Sequence, residues 1–138
     1  EALAERLGVA GRVRFAGSHP APWELLASTA IFVHCSRHEG CPNALLEAMA
    51  SGCAVVASDC RFGPSEMIED GVSGLLYPVG DVDRLARQLE TLVRDPGLRT
   101  AYAGRSTVWA AEQTTDRAVS SWIELLDAPR TRRGRARE

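Results

Sequence analysis

The chain contains no lysine: all sixteen basic residues among its 138 positions are arginine. With the abundance of alanine, this bias is what a GC-rich coding sequence produces, and it is not read as phosphate recognition. No apolar run approaches the ~18 residues that a membrane span needs, and no charged n-region followed by an apolar h-region opens the chain, so neither insertion nor secretion is indicated. No Cys-x-x-Cys pair occurs among the four cysteines, at positions 35, 41, 53 and 60. Their spacings, with His34 and His38 nearby, match no closed zinc framework. They read as reduced cytosolic thiols in or beside buried strands, and no metal is expected. A large excess of positive charge is lacking too: the formal net charge is −2, so nothing asks for a nucleic-acid partner.

What is present is an ordinary soluble composition, with 45% hydrophobic and 25% charged residues. At 138 residues the chain can build one α/β domain with a real core but is short for an enzyme that closes two domains around two substrates. It therefore reads as a part. Residues 1–8 resemble the last turns of a helix ending at Gly8 with no start signal before it, which implies a domain that is N-terminally incomplete.

The pattern that follows alternates strand and helix. Residues 13–16 read as a strand stopped by Gly17, and 22–28 as a short helix turning Trp23, Leu25 and Leu26 inward. The nearly all-apolar 31–35 reads as a strand covered on both faces. Pro42 suits the first position of a helix running to Ser51 and stopped by Gly52, before a second buried strand at 53–57. A loop at 59–64, a short helix at 64–69 and a turn at 71–74 lead to a strand at 74–77. Four short strands separated by helices predict a parallel, Rossmann-like sheet with right-handed crossovers. From Asp81 onward the pattern is helical: a capped helix with Leu85, Leu89, Leu92 and Val93 as one stripe, a second at 98–113 with Tyr102 and Trp109 inward, and a third at 115–126 carrying Val119, Trp122, Ile123 and Leu126. These three either flank the sheet or reach towards a neighbouring domain. Residues 128–138 hold five arginines and no apolar periodicity, which predicts a basic, disordered tail after a folded body at 1–127. Contact of such a tail with anionic lipid headgroups is the alternative to a solvated terminus.

The chemistry gathers at the junction after the strand at 31–35. Glu39, just past the strand's carboxyl end, occupies the edge where open α/β sheets bind ligands, and its carboxylate can accept hydrogen bonds from sugar hydroxyls. Gly40 permits close backbone approach. Cys41, Asn43 and Ala44 would offer amides at the positive end of the following helix, where phosphate is favoured, whereas Pro42 has no N–H to give. Glu47 lies one turn further on, among Leu45, Leu46, Ala48, Met49 and Ala50, where a solvated charge is less expected. Eight residues of helix span ~12 Å, about the distance from a sugar across a diphosphate to a ribose. The bland alternative is a solvated loop acid and an exposed helix acid, and Asn43 has helix capping as its alternative role. His34 reads as a satisfied core histidine, and His38 as a loop residue.

The ordered run SRHEGCPNALLEAMASGCAVVASD at 36–59, then FGPSEMIEDGVSGLLYP at 62–78 with Gly80, Asp81 and the Leu85/Leu89 helix, preceded by LGVAGRVRFAG at 7–17, closely resembles the C-terminal donor-binding domain of GT-B glycosyltransferases of family GT4. The resemblance covers about residues 3–126. It implies a partial GT-B domain of a retaining hexosyltransferase that moves a sugar from a nucleotide diphosphate, most often UDP, to a glycan or lipid-linked acceptor without a metal or other cofactor. By the same resemblance Glu39 would contact the donor sugar at the catalytic centre, the amides of Cys41, Asn43 and Ala44 would hold the diphosphate, and Glu47 would bind the ribose. The backbone at Gly17 and Ser18 would border the base. Glu66 is a weaker candidate, with a helix-dipole role as its alternative.

The family also carries an N-terminal acceptor domain and an early arginine and lysine segment that neutralises the leaving diphosphate; this sequence has neither. The expectation is therefore a donor-binding part, inactive alone, of a cytoplasmic enzyme in polysaccharide biosynthesis at the inner face of the plasma membrane. The alternative is a free-standing nucleotide-sugar module acting with a separate acceptor-domain chain.

Overall fold

Three strands, β1 (Ile31–His34), β2 (Ala54–Ser58) and β3 (Leu75–Tyr77), pair in parallel in the order β1-β2-β3 in a computed structural model that describes residues 1–128. The register sets Ile31 opposite Ala54 and His34 opposite Ala57, and Val56 opposite Leu75 and Ser58 opposite Tyr77. All three carboxyl ends thus share one edge of the sheet, and the loops that follow His34, Ser58 and Tyr77 leave from it.

β2 is buried along its whole length, and its period of two divides the core. Val55 and Ala57 join Leu45, Ala48, Met49, Met67, Ile68 and Ala110 on one face, while Ala54 and Val56 join Tyr77, Leu92 and Tyr102 on the other. The first face is covered by α3 (Asn43–Ala50), α4 (Pro64–Met67) and the end of α6 (Pro96–Ala111), and the second by α5 (Val82–Arg94) and the start of α6. Fully burying a side chain such as Leu45, Met49 or Leu92 stabilises by roughly 1.5–3 kcal/mol. At the centre of this core, burial pushes the Cys53 thiol up, and its S–H donates to the Leu26 carbonyl at 3.4 Å.

α3 stops where expected. Ser51 is its C-cap, Gly52 takes φ +79°, and the amides of Gly52 and Cys53 return to the carbonyls of Met49 and Ala48, which turns the chain straight into β2. Asp81 caps α5 by accepting from the Arg84 amide, as the pattern predicted, and Asp95 does the same for α6 through Leu98.

Several expectations are corrected. The strand at 13–16 does not form: Val13 is extended, but Val13 and Phe15 stay exposed, and no ladder hydrogen bonds tie the segment to the sheet. The sheet accordingly has three strands rather than four among the described residues. In α2 (Pro22–Ala27) Leu25 and Leu26 turn inward, but Trp23, two residues before Leu25 and so on another side of the helix, is 61% exposed. In α5 Val93 is solvent-facing, and Gln88 is buried, donating to the Leu76 carbonyl at 2.7 Å. α7 (Thr115–Asp127) buries none of its apolar stripe: Val119, Trp122, Ile123 and Leu126 are all exposed. Cys35 and Cys41 are exposed, and only Cys53 and Cys60 are buried. The basic tail lies outside the described residues apart from Ala128, the C-cap of α7. Among the described residues no helix is long and apolar enough to cross a membrane.

Candidate functional site

β1 ends at His34 because the chain leaves the sheet through Cys35-Ser36-Arg37-His38-Glu39 and turns at Gly40-Cys41 into α3. Two ties fix this loop. The Ser58 hydroxyl, at the end of β2, donates to the Ser36 carbonyl, and the His34 ring reaches Glu39 with Nε2 3.1 Å from Oε1. Glu39 is therefore not a free loop acid: its side chain is 22% exposed and held by a buried imidazole. His34 was expected to be a satisfied core histidine. It is buried, but Nδ1 has no partner, and Nε2, also 3.4 Å from the Ser36 hydroxyl, faces Glu39.

The entry into α3 also differs from expectation. Pro42, at φ −78° and ψ 78°, stands at the N-cap rather than at the first helical position, and α3 begins at Asn43. The Asn43 amide is spent on the Cys41 carbonyl at 2.9 Å, and the Leu45 amide on the Pro42 carbonyl. Of the three amides expected to face phosphate, those of Cys41 and Ala44 remain without a hydrogen bond among the described residues, and that of Asn43 does not. The Asn43 side chain makes no cap bond; its Oδ1 accepts from the Cys41 thiol at 3.6 Å.

α3 is two-faced. Leu45, Ala48 and Met49 are buried, whereas Asn43, Ala44 and Glu47 are exposed, and the spacing of three and four residues puts these three on one stripe. A solvated charge was less expected at Glu47, among its apolar neighbours. It is exposed: Leu45, Ala48 and Met49 turn to the opposite face of the helix, Ala50 is exposed beside it, and its carboxylate has no hydrogen bond or ion pair among the described residues. With only Asn43 to Glu47 helical, the rise between helix entry and Glu47 is ~6 Å, and the non-helical turn supplies the rest of the separation from Glu39.

A second loop buttresses the turn. Gly63, buried at φ +91°, lies so close to Pro42 that a Cβ at that position would fall 2.5 Å from the proline Cδ. Its neighbour Phe62 is held at φ +70°, a strained value for a residue with a side chain, with the Arg61 guanidinium 4.9 Å from its ring centroid. A cavity of about 470 Å³ opens between Gly40, Cys41, Gly63 and Glu66 on one side and Trp109 and Arg117 on the other. Glu66 thus reaches the same cavity as the turn. Gly17 and Ser18 are exposed in a segment without regular structure, and no hydrogen bond among the described residues joins them to the turn. Among the described residues no group of three or more His, Cys, Asp or Glu side chains could hold a metal ion.

Two residues of this arrangement escaped sequence reasoning. His34 had a usable signal, a polar residue closing an apolar strand five positions before the key acid. Arg117 had none, since only the packing of α7 beside the turn brings it to the cavity, where it pairs with Glu112 at 3.2 Å.

Comparison with known proteins bears on the whole segment. Residues 1–95 match the family described as glycosyl transferases group 1. The chain is 38% identical over 125 residues to the lipopolysaccharide core biosynthesis glycosyltransferase LpsE of Rhizobium meliloti, covering 90% of this chain and 36% of that protein. It spans about a third of the length of the curated relatives it matches. Among solved structures it superposes on an S. aureus TarM variant in complex with fondaparinux, alpha-GlcNAc-glycerol and UDP, with a TM-score of 0.85 and 26% identity over 92% of this chain and 26% of that one. It also superposes on Anabaena Alr3699/HepE in complex with UDP-glucose, with a TM-score of 0.80 and 27% identity over 89% and 34%. The Rossmann-like α/β architecture, as part of a GT-B fold, is thereby established.

Proposed function

The chain belongs to the glycosyl transferases group 1 family, and from that premise we propose that residues 39–47 form the donor grip of a retaining, GT4-type hexosyltransferase. In this reading Glu39 accepts hydrogen bonds from hydroxyls of the donor sugar, with one carboxylate oxygen engaged by His34 and the other open. The unbonded amides of Cys41 and Ala44, at the positive end of α3, take the diphosphate. Glu47, one turn on, accepts from the ribose hydroxyls, and the segment at Gly17 and Ser18 borders the base. The donor is a UDP-sugar and the acceptor a glycan or glycolipid. The groups that neutralise the departing diphosphate and bind the acceptor lie outside these residues, so the chain by itself holds the donor without completing transfer.

The observation that carries this reading is the exposed stripe of α3. Glu47 stands there without any partner among the described residues, beside an unbonded helix amide and after a turn whose acid is held in place. In the proposed role the Glu47 carboxylate is free to accept from a ligand. The reading is tested by titrating the full-length gene product with UDP, GDP and ADP and with their sugar conjugates. Saturable binding of one nucleotide and its sugar is the expected result, and no binding by any of them overturns the proposal.

A further inference from the structure

Resting on the donor-site reading above, we propose that His34 is a positioning residue that fixes the Glu39 carboxylate for sugar recognition. The ring is anchored from three directions. Its backbone lies in the sheet opposite Ala57, its side chain is 9% exposed, and it stacks on Phe32, two residues earlier on the same strand face, with ring centroids 6.5 Å apart. Glu39 sits on a loop and has three side-chain torsions to order; a rigid, buried ring 3.1 Å from its carboxylate restricts that freedom.

Nε2 lies 3.1 Å from Glu39 Oε1, within ion-pair range, so the ring meets the carboxylate through this nitrogen. Nδ1 is then left buried without a partner among the described residues. An apolar side chain would remove that unpaired atom from the core, so a histidine here stabilises the fold less than leucine would. The sequence carries this unpaired atom on the residue that meets Glu39. Glu39 Oε2 has no partner among the described residues and stays available to a ligand hydroxyl.

The test uses the full-length gene product with UDP-glucose, UDP-galactose, UDP-N-acetylglucosamine and GDP-mannose, following nucleotide release from whichever donor the wild type turns over fastest. His34→Leu is expected to keep or raise Tm, leave the affinity for the bare nucleotide diphosphate within about twofold, and lower kcat about tenfold or more. His34→Gln, whose amide can still donate, is expected to recover most of the rate, whereas His34→Asn, too short to reach Glu39, is not. In a Glu39→Ala background, which leaves nothing for the ring to position, His34→Leu should cost nothing further. A wild-type rate in His34→Leu, or the same loss in both backgrounds, overturns the proposal; so does a His34→Leu protein that melts lower and loses nucleotide affinity in parallel. Should the leucine variant fail to fold, the pair of amides decides, and equal rates for asparagine and glutamine refute the role. Failure of the donor-site reading is separately visible as a Glu39→Gln enzyme that releases nucleotide at the wild-type rate.

Discussion

Two junctions leave the same edge of the sheet by the same plan, strand, loop and proline-led helix, and they are built differently. After β1 the loop is long, its acid is held by His34, its helix has eight residues, and the outward face of that helix is left unbonded. After β2 the loop is short and strained at Phe62, its Gly63 is pressed on Pro42, and its helix has four residues, too few to project an exposed stripe. On the proposed reading the first junction offers groups to a ligand, and the second packs its Gly63 against the Pro42 turn of the first. Position at the carboxyl edge of a parallel sheet is common to both; what separates them is the longer loop, the acid beside His34 and the longer helix of the first.

Substitutions sharpen this contrast. The largest effect is expected from Glu39→Gln, which removes a charged acceptor at the sugar and should lower transfer by roughly 100-fold, measured as nucleotide release from the donor. Next is Glu47→Ala, expected to raise the donor dissociation constant about tenfold, as read by calorimetry, since a hydrogen bond to a charged group contributes about 1.5–3 kcal/mol. In the buttress, Gly63→Ala should act indirectly: a Cβ against Pro42 at a positive φ must push the turn, lowering Tm by roughly 5 °C and weakening donor binding a few-fold. A Gly63→Ala protein that melts lower but binds donor normally would show that the two loops are uncoupled. The smallest effect belongs to Glu66→Gln, within about twofold on transfer and binding, because Glu66 borders the cavity without holding any part of the turn.

Much of this arrangement could be read from the residues. The apolar runs at 31–35 and 53–57 and the helix stop at Gly52 fix strand, helix and strand, because a buried parallel strand and a left-handed cap each leave a local compositional trace. Glu39 and Glu47 could be placed on that frame, one in the loop after the first strand and one on the following helix. What could not be read depends on neighbours. Val13 and Phe15 have the alternation of a strand, but a strand also needs a paired partner, and none holds them among the described residues. Trp23, Val93 and the α7 stripe have core-like composition, yet packing leaves them in solvent. The commitment of the Asn43 amide to Cys41 is a matter of turn geometry at a proline, below the resolution of pattern reading. His34 shows the reverse case: its identity was plain and its partner five residues on was not, because only the fold of the loop brings the two together.

The central claim is a division of labour along residues 39–47, sugar at one end and nucleotide at the other. Calorimetric titration of the full-length gene product and of its Glu39→Gln and Glu47→Ala variants with UDP and with the matching UDP-sugar tests it most directly. The account predicts that Glu47→Ala weakens both ligands by the same factor, whereas Glu39→Gln weakens the nucleotide sugar and spares UDP. Equal losses of UDP in both variants, or unchanged UDP affinity in Glu47→Ala, would contradict it.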